Sequence, residues 1–322
     1  MRRIFKWALG IVSVPAVLAA GGIGYLFAAF PKPGPVPDLK VERTPEQLER
    51  GKYLAEHVTI CMDCHAERDW SRFSAPPKDG TKGHGGEPFT REMGLPGQFY
   101  SKNITPGGIG DWSDGELARA ITMGVTRDGR AMFPIMPYPY YRHLCERDLH
   151  SIMAYVRNLP RSDKRQPASE LDFPVNLIVR TIPEAPEPWA CPSPGTPEYG
   201  KYLTTIAGCP ECHTKQDKGK VVGERLAGGW RFAVPSGGFV TSKNITPDPE
   251  TGIGKWTREQ FIETFQSRAK PEAAYPVKPG EMQTLMPWNM YGGMSAEDLG
   301  AIYDYLRTVP AVKNAVPPFE KP

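Results

Sequence analysis

The sequence predicts an all-α protein: two tandem copies of one small domain of short helices and long loops, following a single amino-terminal transmembrane helix. Three observations carry this. The second half of the chain repeats motifs of the first in the same order. The 322 residues include 35 prolines and 33 glycines, which favour short helices and long connections. And residues 7–30 carry no charge.

Met1-Arg2-Arg3 and Lys6 precede that uncharged stretch, whose 24 positions would span roughly 36 Å as a helix, enough to cross a bilayer. A cleaved signal peptide is the competing reading, because Ala19-Ala20 resembles a cleavage site and Pro15, Gly21, Gly22 and Gly24 weaken the helix. The expectation is a retained anchor over 1–30. Positive residues at the amino end would keep that end cytoplasmic and place everything after residue 30 on the outer side. A formal net charge of +3 gives no case for a nucleic-acid partner.

Pro31-Lys32-Pro33-Gly34-Pro35-Val36-Pro37 reads as an extended spacer, assigned to 31–43. Thr44-Pro45-Glu46-Gln47 is a capping box with proline at the first helical position, opening a helix over about 45–57. Thr196-Pro197 opens its counterpart. Ser113 to Glu116 and Thr257 to Gln260 are further capping boxes, each beginning a middle helix. The repeat sets one domain at 44–160 and another at 196–322. Residues 160–198 carry nine prolines, yet 171–179 are mostly apolar, so 161–195 is expected to be a connector packed across both domains.

Inside each copy lies the same chemical signature: Cys61-Met62-Asp63-Cys64-His65 and Cys209-Pro210-Glu211-Cys212-His213. Cys-x-x-Cys-His is the attachment pattern of c-type haem, two thiols forming thioethers and the imidazole ligating iron. A bare Cys-x-x-Cys would also suit a thioredoxin-like pair or half a zinc site, but the following histidine and the second copy favour two covalently bound haem c groups. Such an iron needs a sixth ligand, normally His or Met. The second copy contains only His213, already committed, so its ligand is one of Met282, Met286, Met290 or Met294. Met286 is favoured because Met286-Pro287-Trp288 aligns with Met136-Pro137-Tyr138, and the two methionines lie 71 and 73 residues beyond their motif histidines. Met132 and Met282 align as well and are the specific rivals. His84, His143 and His150 have no aligned partner and read as structural.

Asn103 and Asn244, in repeated Ser-Lys-Asn-Ile-Thr-Pro loops, and Trp112 and Trp256, in Gly-Ile-Gly-x-Trp, are candidates to donate to haem propionates; turn stabilisation and core filling are the alternatives. Gly51 with Tyr155 and Gly200 with Tyr305 mark close crossings of the opening and closing helices. The remaining Cys145 and Cys191 suggest a disulfide in an oxidising compartment, while Cys145 also stands where the second copy has Ser295, a capping position.

Taken together these residues resemble the class I cytochrome c domain, twice, and more specifically the membrane-bound cytochrome c subunits of bacterial alcohol, gluconate and related dehydrogenases. Those subunits commonly hold three haem domains, against two here. The resemblance implies haems held by Cys61, Cys64, His65 and Met136, and by Cys209, Cys212, His213 and Met286. It further implies a single-pass protein of the bacterial inner membrane with its soluble part in the periplasm. There it would pass electrons from a dehydrogenase towards an oxidase or other respiratory acceptor, more as an electron carrier or the cytochrome subunit of an oxidoreductase than as a catalyst in its own right. A dihaem peroxidase or thiosulfate-oxidising enzyme with one open haem site, and a fixed relay in a respiratory complex, are the alternatives.

Overall fold

Why each helix begins where it does is settled locally, and a computed structural model describing residues 17–322 displays it. Helix α1 occupies 17–29. In the first half α2 (Pro45–Tyr53) starts on the Thr44/Gln47 capping box, and its last turn widens to a π-turn over Leu54–Val58. Thr59 produces that widening by donating both its amide and its hydroxyl to the Leu54 carbonyl (2.8 and 3.0 Å). Then come α3 (Cys61–Cys64), α4 (Pro106–Ile109), α5 (Asp114–Met123, on the Ser113/Glu116 box), α6 (Tyr138–Tyr141) and α7 (Glu146–Arg157). The connector contributes α8 (Val175–Ile178). The second half returns the order with α9 (Pro197–Ile206), α10 (Cys209–His213), α11 (Arg258–Gln266), α12 (Trp288–Tyr291) and α13 (Ala296–Leu306).

The chain is not all-α. Strands β1 (Pro88–Phe89), β2 (Gly97–Tyr100) and β3 (Glu170–Leu171) form a three-stranded antiparallel sheet; β4 (Gln216–Asp217) pairs with β5 (Lys220–Val221), and β6 (Arg231–Ala233) with β7 (Phe239–Thr241). These strands are two to four residues long and arise where the motif loops must return to the helices. Extended backbone there needs hydrogen-bond partners, and antiparallel pairing is the shortest way to supply them.

The expectation of a transmembrane helix is also corrected. Of the segment 1–30, residues 1–16 lie outside the described residues. The described part of α1, residues 17–29, rises about 20 Å, and among the described residues no helix is long and apolar enough to cross a membrane. The single-pass inner-membrane location drawn from that helix falls with it. The carboxyl end of α1 is instead tied to the connector, where Arg180 donates to the carbonyls of Phe27 (3.3 Å) and Phe30 (2.7 Å) and lies over the Phe27 ring.

Opening and closing helices cross so closely that only glycine fits. A Cβ on Gly51 would lie 1.8 Å from the Ser151 carbonyl oxygen, and one on Gly200 2.0 Å from that of Ala301; Cβ of Tyr155 and of Tyr305 is the third neighbour in each case, at 2.9 Å. Beside each crossing an aspartate in the first turn of the closing helix joins the halves. Asp148 accepts from Arg50 (2.8 Å) of its own half and from the Tyr202 hydroxyl (3.1 Å) of the other, and Asp298 accepts from Tyr199 (2.8 Å) and from Tyr53 (2.6 Å). The tyrosine oxygens in turn accept from the amides of Cys145 and Ser295. Ser295 caps α13, whereas Cys145 makes no side-chain cap on α7 and is bonded to Cys191, fastening the connector 46 residues away. Replacing Asp148, which is fully buried, by alanine leaves Arg50 and Tyr202 without their acceptor; denaturant unfolding is expected to show a loss of about 3 kcal/mol.

Candidate functional site

Each Cys-x-x-Cys-His helix begins from a left-handed residue, Ile60 (φ 45°) in the first half and Gly208 (φ 67°) in the second. That turn sets the short helix at an angle to the one before it and directs its cysteines and histidine into a cavity. The cavity, of about 2960 Å³, is continuous through both halves, and Cys61, Cys64, His65 and Met136 line it together with Cys209, Cys212, His213 and Met286.

The histidine rings are oriented by backbone. His65 Nδ1 lies 2.7 Å from the Lys102 carbonyl oxygen and His213 Nδ1 2.6 Å from that of Lys243. A carbonyl only accepts, so Nδ1 carries the proton in both rings and Nε2 keeps its lone pair. Burial holds both imidazoles below their usual pKa, which keeps them neutral and able to ligate. Two glycines that the sequence reading passed over make this approach possible. Gly85 and Gly228 (φ 68° and 69°) donate to the carbonyls of His65 and His213, and a Cβ at either would lie 2.6 Å or less from the 101–102 or 242–243 backbone. Their sequence signal was a Gly-Gly pair, 85–86 and 228–229, standing between motif and Ser-Lys-Asn in both halves.

The methionine side is set by a second missed pair. Tyr141 donates to the Thr59 carbonyl and Tyr291 to that of Ala207, each at 2.5 Å, and each acceptor is two residues before its motif. These buried tyrosines fix the methionine-bearing segment against the helix that delivers the histidine; Met-Pro-x-x-x-Tyr in both halves was the available signal. Met136 and Met286 are partly buried and pack against the core. The rivals Met132 and Met282 also line the cavity but are outside that packing, and Met282 is 48% exposed. Met294 lines it as well, and Met290 is buried in the core.

The asparagine side chains are committed to backbone. Asn103 donates to the carbonyls of Ser162 (2.7 Å) and Lys164 (3.1 Å), and Asn244 to Val312 (2.7 Å) and the Thr251 hydroxyl (3.0 Å). Their carbonyl oxygens accept from the amide and hydroxyl of Thr105 and Thr246. Both N–H groups of each amide are taken, so each asparagine ties its loop to the irregular segment leaving the closing helix. Trp112 and Trp256 line the cavity, and their carbonyls accept from Arg157 and from the Tyr303 hydroxyl.

The donor set fits haem c and fits neither alternative. Burial pushes the Cys209 and Cys212 thiols up to about 12 and raises Cys61 and Cys64 as well, opposite to the depressed thiolate of a redox pair. Among the described residues no group of three or more His, Cys, Asp or Glu side chains is placed to hold a metal ion unaided. A macrocycle supplying four nitrogens needs only one imidazole, two thiols and a ligand opposite, and an apolar cavity of this size would be costly without such a filler.

Short helices around such a cavity, with thiols and imidazole on one wall and methionine among the others, define a c-type haem protein. Residues 197–310 match the model of the cytochrome c family, whose cofactor is covalently bound haem c. The chain as a whole is related to cytochrome c subunits of dehydrogenases. It is 31% identical over 287 residues to the cytochrome c subunit of a quinone alcohol dehydrogenase from Gluconacetobacter polyoxogenes, an alignment covering 82% of this chain and 56% of that one. It is 28% identical over 283 residues to the fructose dehydrogenase cytochrome subunit of Gluconobacter japonicus, covering 82% and 53%. A diheme cytochrome c-type protein of Cereibacter sphaeroides is 29% identical over 265 residues, covering 79% and 83%. The chain thus spans just over half the length of the dehydrogenase subunits it matches. Asn244→Ala, which frees the Val312 carbonyl and the Thr246 amide, is expected to lower unfolding stability by about 1–3 kcal/mol while leaving the haem absorption spectrum unchanged.

Proposed function

We propose that the chain is a dihaem electron-transfer protein, with one haem c on Cys61, Cys64 and His65 and the other on Cys209, Cys212 and His213. Met136 and Met286 are the sixth ligands. The observation that carries this reading is the pairing, in each half, of an Nδ1-protonated histidine with a core-packed methionine on the walls of one cavity. Haem supplies a one-electron ferrous/ferric couple, and His/Met ligation raises its potential. The chain's part is to hold ligands still: backbone carbonyls fix the imidazoles, Tyr141 and Tyr291 fix the distance to the methionine segment, and the core excludes water.

The same reading divides the chain into a spacer at 31–43, haem domains at 44–160 and 196–322, and a packed connector at 161–195. The names of the relatives support a dehydrogenase as the upstream partner, and a high potential suits an oxidase or other respiratory acceptor downstream. Purification of the tagged chain from its native source with a dehydrogenase bound would support the subunit role; its reproducible isolation alone would favour a shuttle.

The mass of the intact protein is expected to exceed that of the chain by two haems, and the Cys61→Ala, Cys64→Ala double variant by one; a single haem in the native protein would overturn the dihaem reading. Met286→Ala is expected to keep both haems attached while one ferric iron becomes high-spin. An unchanged ferric spectrum would move the ligand to Met282.

A further inference from the structure

The methionine segment of the second half is braced along its backbone by a loop of the first half; in the reverse direction, among the described residues, the first segment reaches across through a side chain, the Tyr140 hydroxyl bonding Glu211, with no such backbone brace. Gln283, three residues before Met286, is fully buried and every hydrogen-bonding position of its amide is used. Its oxygen accepts from the amides of Ser74 (2.8 Å) and Thr284 (2.9 Å), and its nitrogen donates to the carbonyls of Trp70 (3.2 Å) and Arg72 (2.8 Å). Ser74, buried at φ 64°, reaches further along the same segment. Its hydroxyl donates to the carbonyl of Met286 itself (2.8 Å), lies 3.2 Å from Asn289 Oδ1, and accepts from the amide of Trp288 (2.9 Å). In the first half the positions of Gln283 and Asn289 are Phe133 and Pro139, and Phe133 stacks on Phe99 of its own half.

We propose that Ser74 and Gln283 are positioning residues for the second haem, keeping Met286 on its iron, so that ligand retention in the second half depends on the first. This rests on the assignment of Met286 as the sixth ligand. A thioether is a weak ligand on a flexible side chain, so an incoming base replaces it at a concentration set by how easily the methionine segment swings away. Here that movement would break a buried amide away from three backbone groups across the interface and uncouple the Met286 carbonyl from Ser74. Both methionine carbonyls accept from the amide two residues on, Tyr138 or Trp288, but among the described residues only that of Met286 also accepts from a side chain of the other half, the Ser74 hydroxyl. The arrangement places control of one iron in the packing between halves.

The test is an imidazole titration of the full-length ferric dihaem protein, following the near-infrared methionine-to-iron band. Met136→Ala and Met286→Ala, each removing one contribution, assign the two steps. Gln283→Met keeps the side-chain volume without the amide, and Ser74→Gly suits the left-handed backbone while deleting the hydroxyl. Each is expected to lower the imidazole concentration for displacement at the second haem by about tenfold to a hundredfold, the range that unsatisfied buried groups produce, and to move the first by less than about twofold. If Met286→Ala removes half of the band but neither variant moves the second step, Ser74 and Gln283 have no positioning role. Equal movement of both steps would mean general loosening and would overturn the proposal as well. Retention of the whole band in Met286→Ala would instead remove the ligand assignment beneath it.

Discussion

The hydrogen bond from each motif histidine to a lysine carbonyl is the constraint from which the rest of the arrangement follows. It selects the tautomer, leaves Nε2 available, and fixes the ring plane in the cavity. To make it, the chain must bring 101–102 and 242–243 against the motif helix, which Gly85 and Gly228 permit, while Asn103 and Asn244 tie the same loops to backbone beyond the closing helices. Those anchors reach residues beyond the closing helix, so the loop, the closing helix and the segment trailing it form one braced unit around each histidine. The tyrosine bonds to Thr59 and Ala207 brace the opposite wall in the same manner.

Across the interface the two halves are related but not equal. Tyr53 with Asp298 and Tyr202 with Asp148 exchange equivalent bonds. Elsewhere the equivalence breaks. Arg50 grips Asp148 where Tyr199 grips Asp298, a disulfide replaces a serine cap at Cys145, and Ser74 with Gln283 braces only the second methionine segment. Duplication supplies two similar sites, and local departures in packing give each its own surroundings.

Much of this was legible in the chain itself. Capping boxes at Thr44, Ser113 and Thr257 are local chemistry and appear where expected. Gly51 and Gly200 read as close crossings because each recurred with a tyrosine in the closing helix, 104 and 105 residues on. The short strands were not legible: two to four extended residues carry too little periodicity, and their pairing depends on loop return paths. An uncharged amino-terminal stretch suggested a membrane span, but among the described residues no helix is long and apolar enough to cross a membrane. Asn103 and Asn244 suggested propionate donors because sequence records a donor without its acceptor; the trailing carbonyls that take those donors lie 59 and 68 residues away.

By itself the sequence determined the chemistry: two Cys-x-x-Cys-His motifs, a methionine near the same distance beyond each, and the starts of the opening, middle and closing helices of each half. These follow from residue type and short spacing, which no fold alters. Tertiary structure alone decided which carbonyl holds each imidazole, that the asparagines brace backbone, that Cys145 meets Cys191, and that the second methionine segment leans on the first half. Each is a contact between residues tens to hundreds of positions apart, and such contacts are set by how whole elements pack.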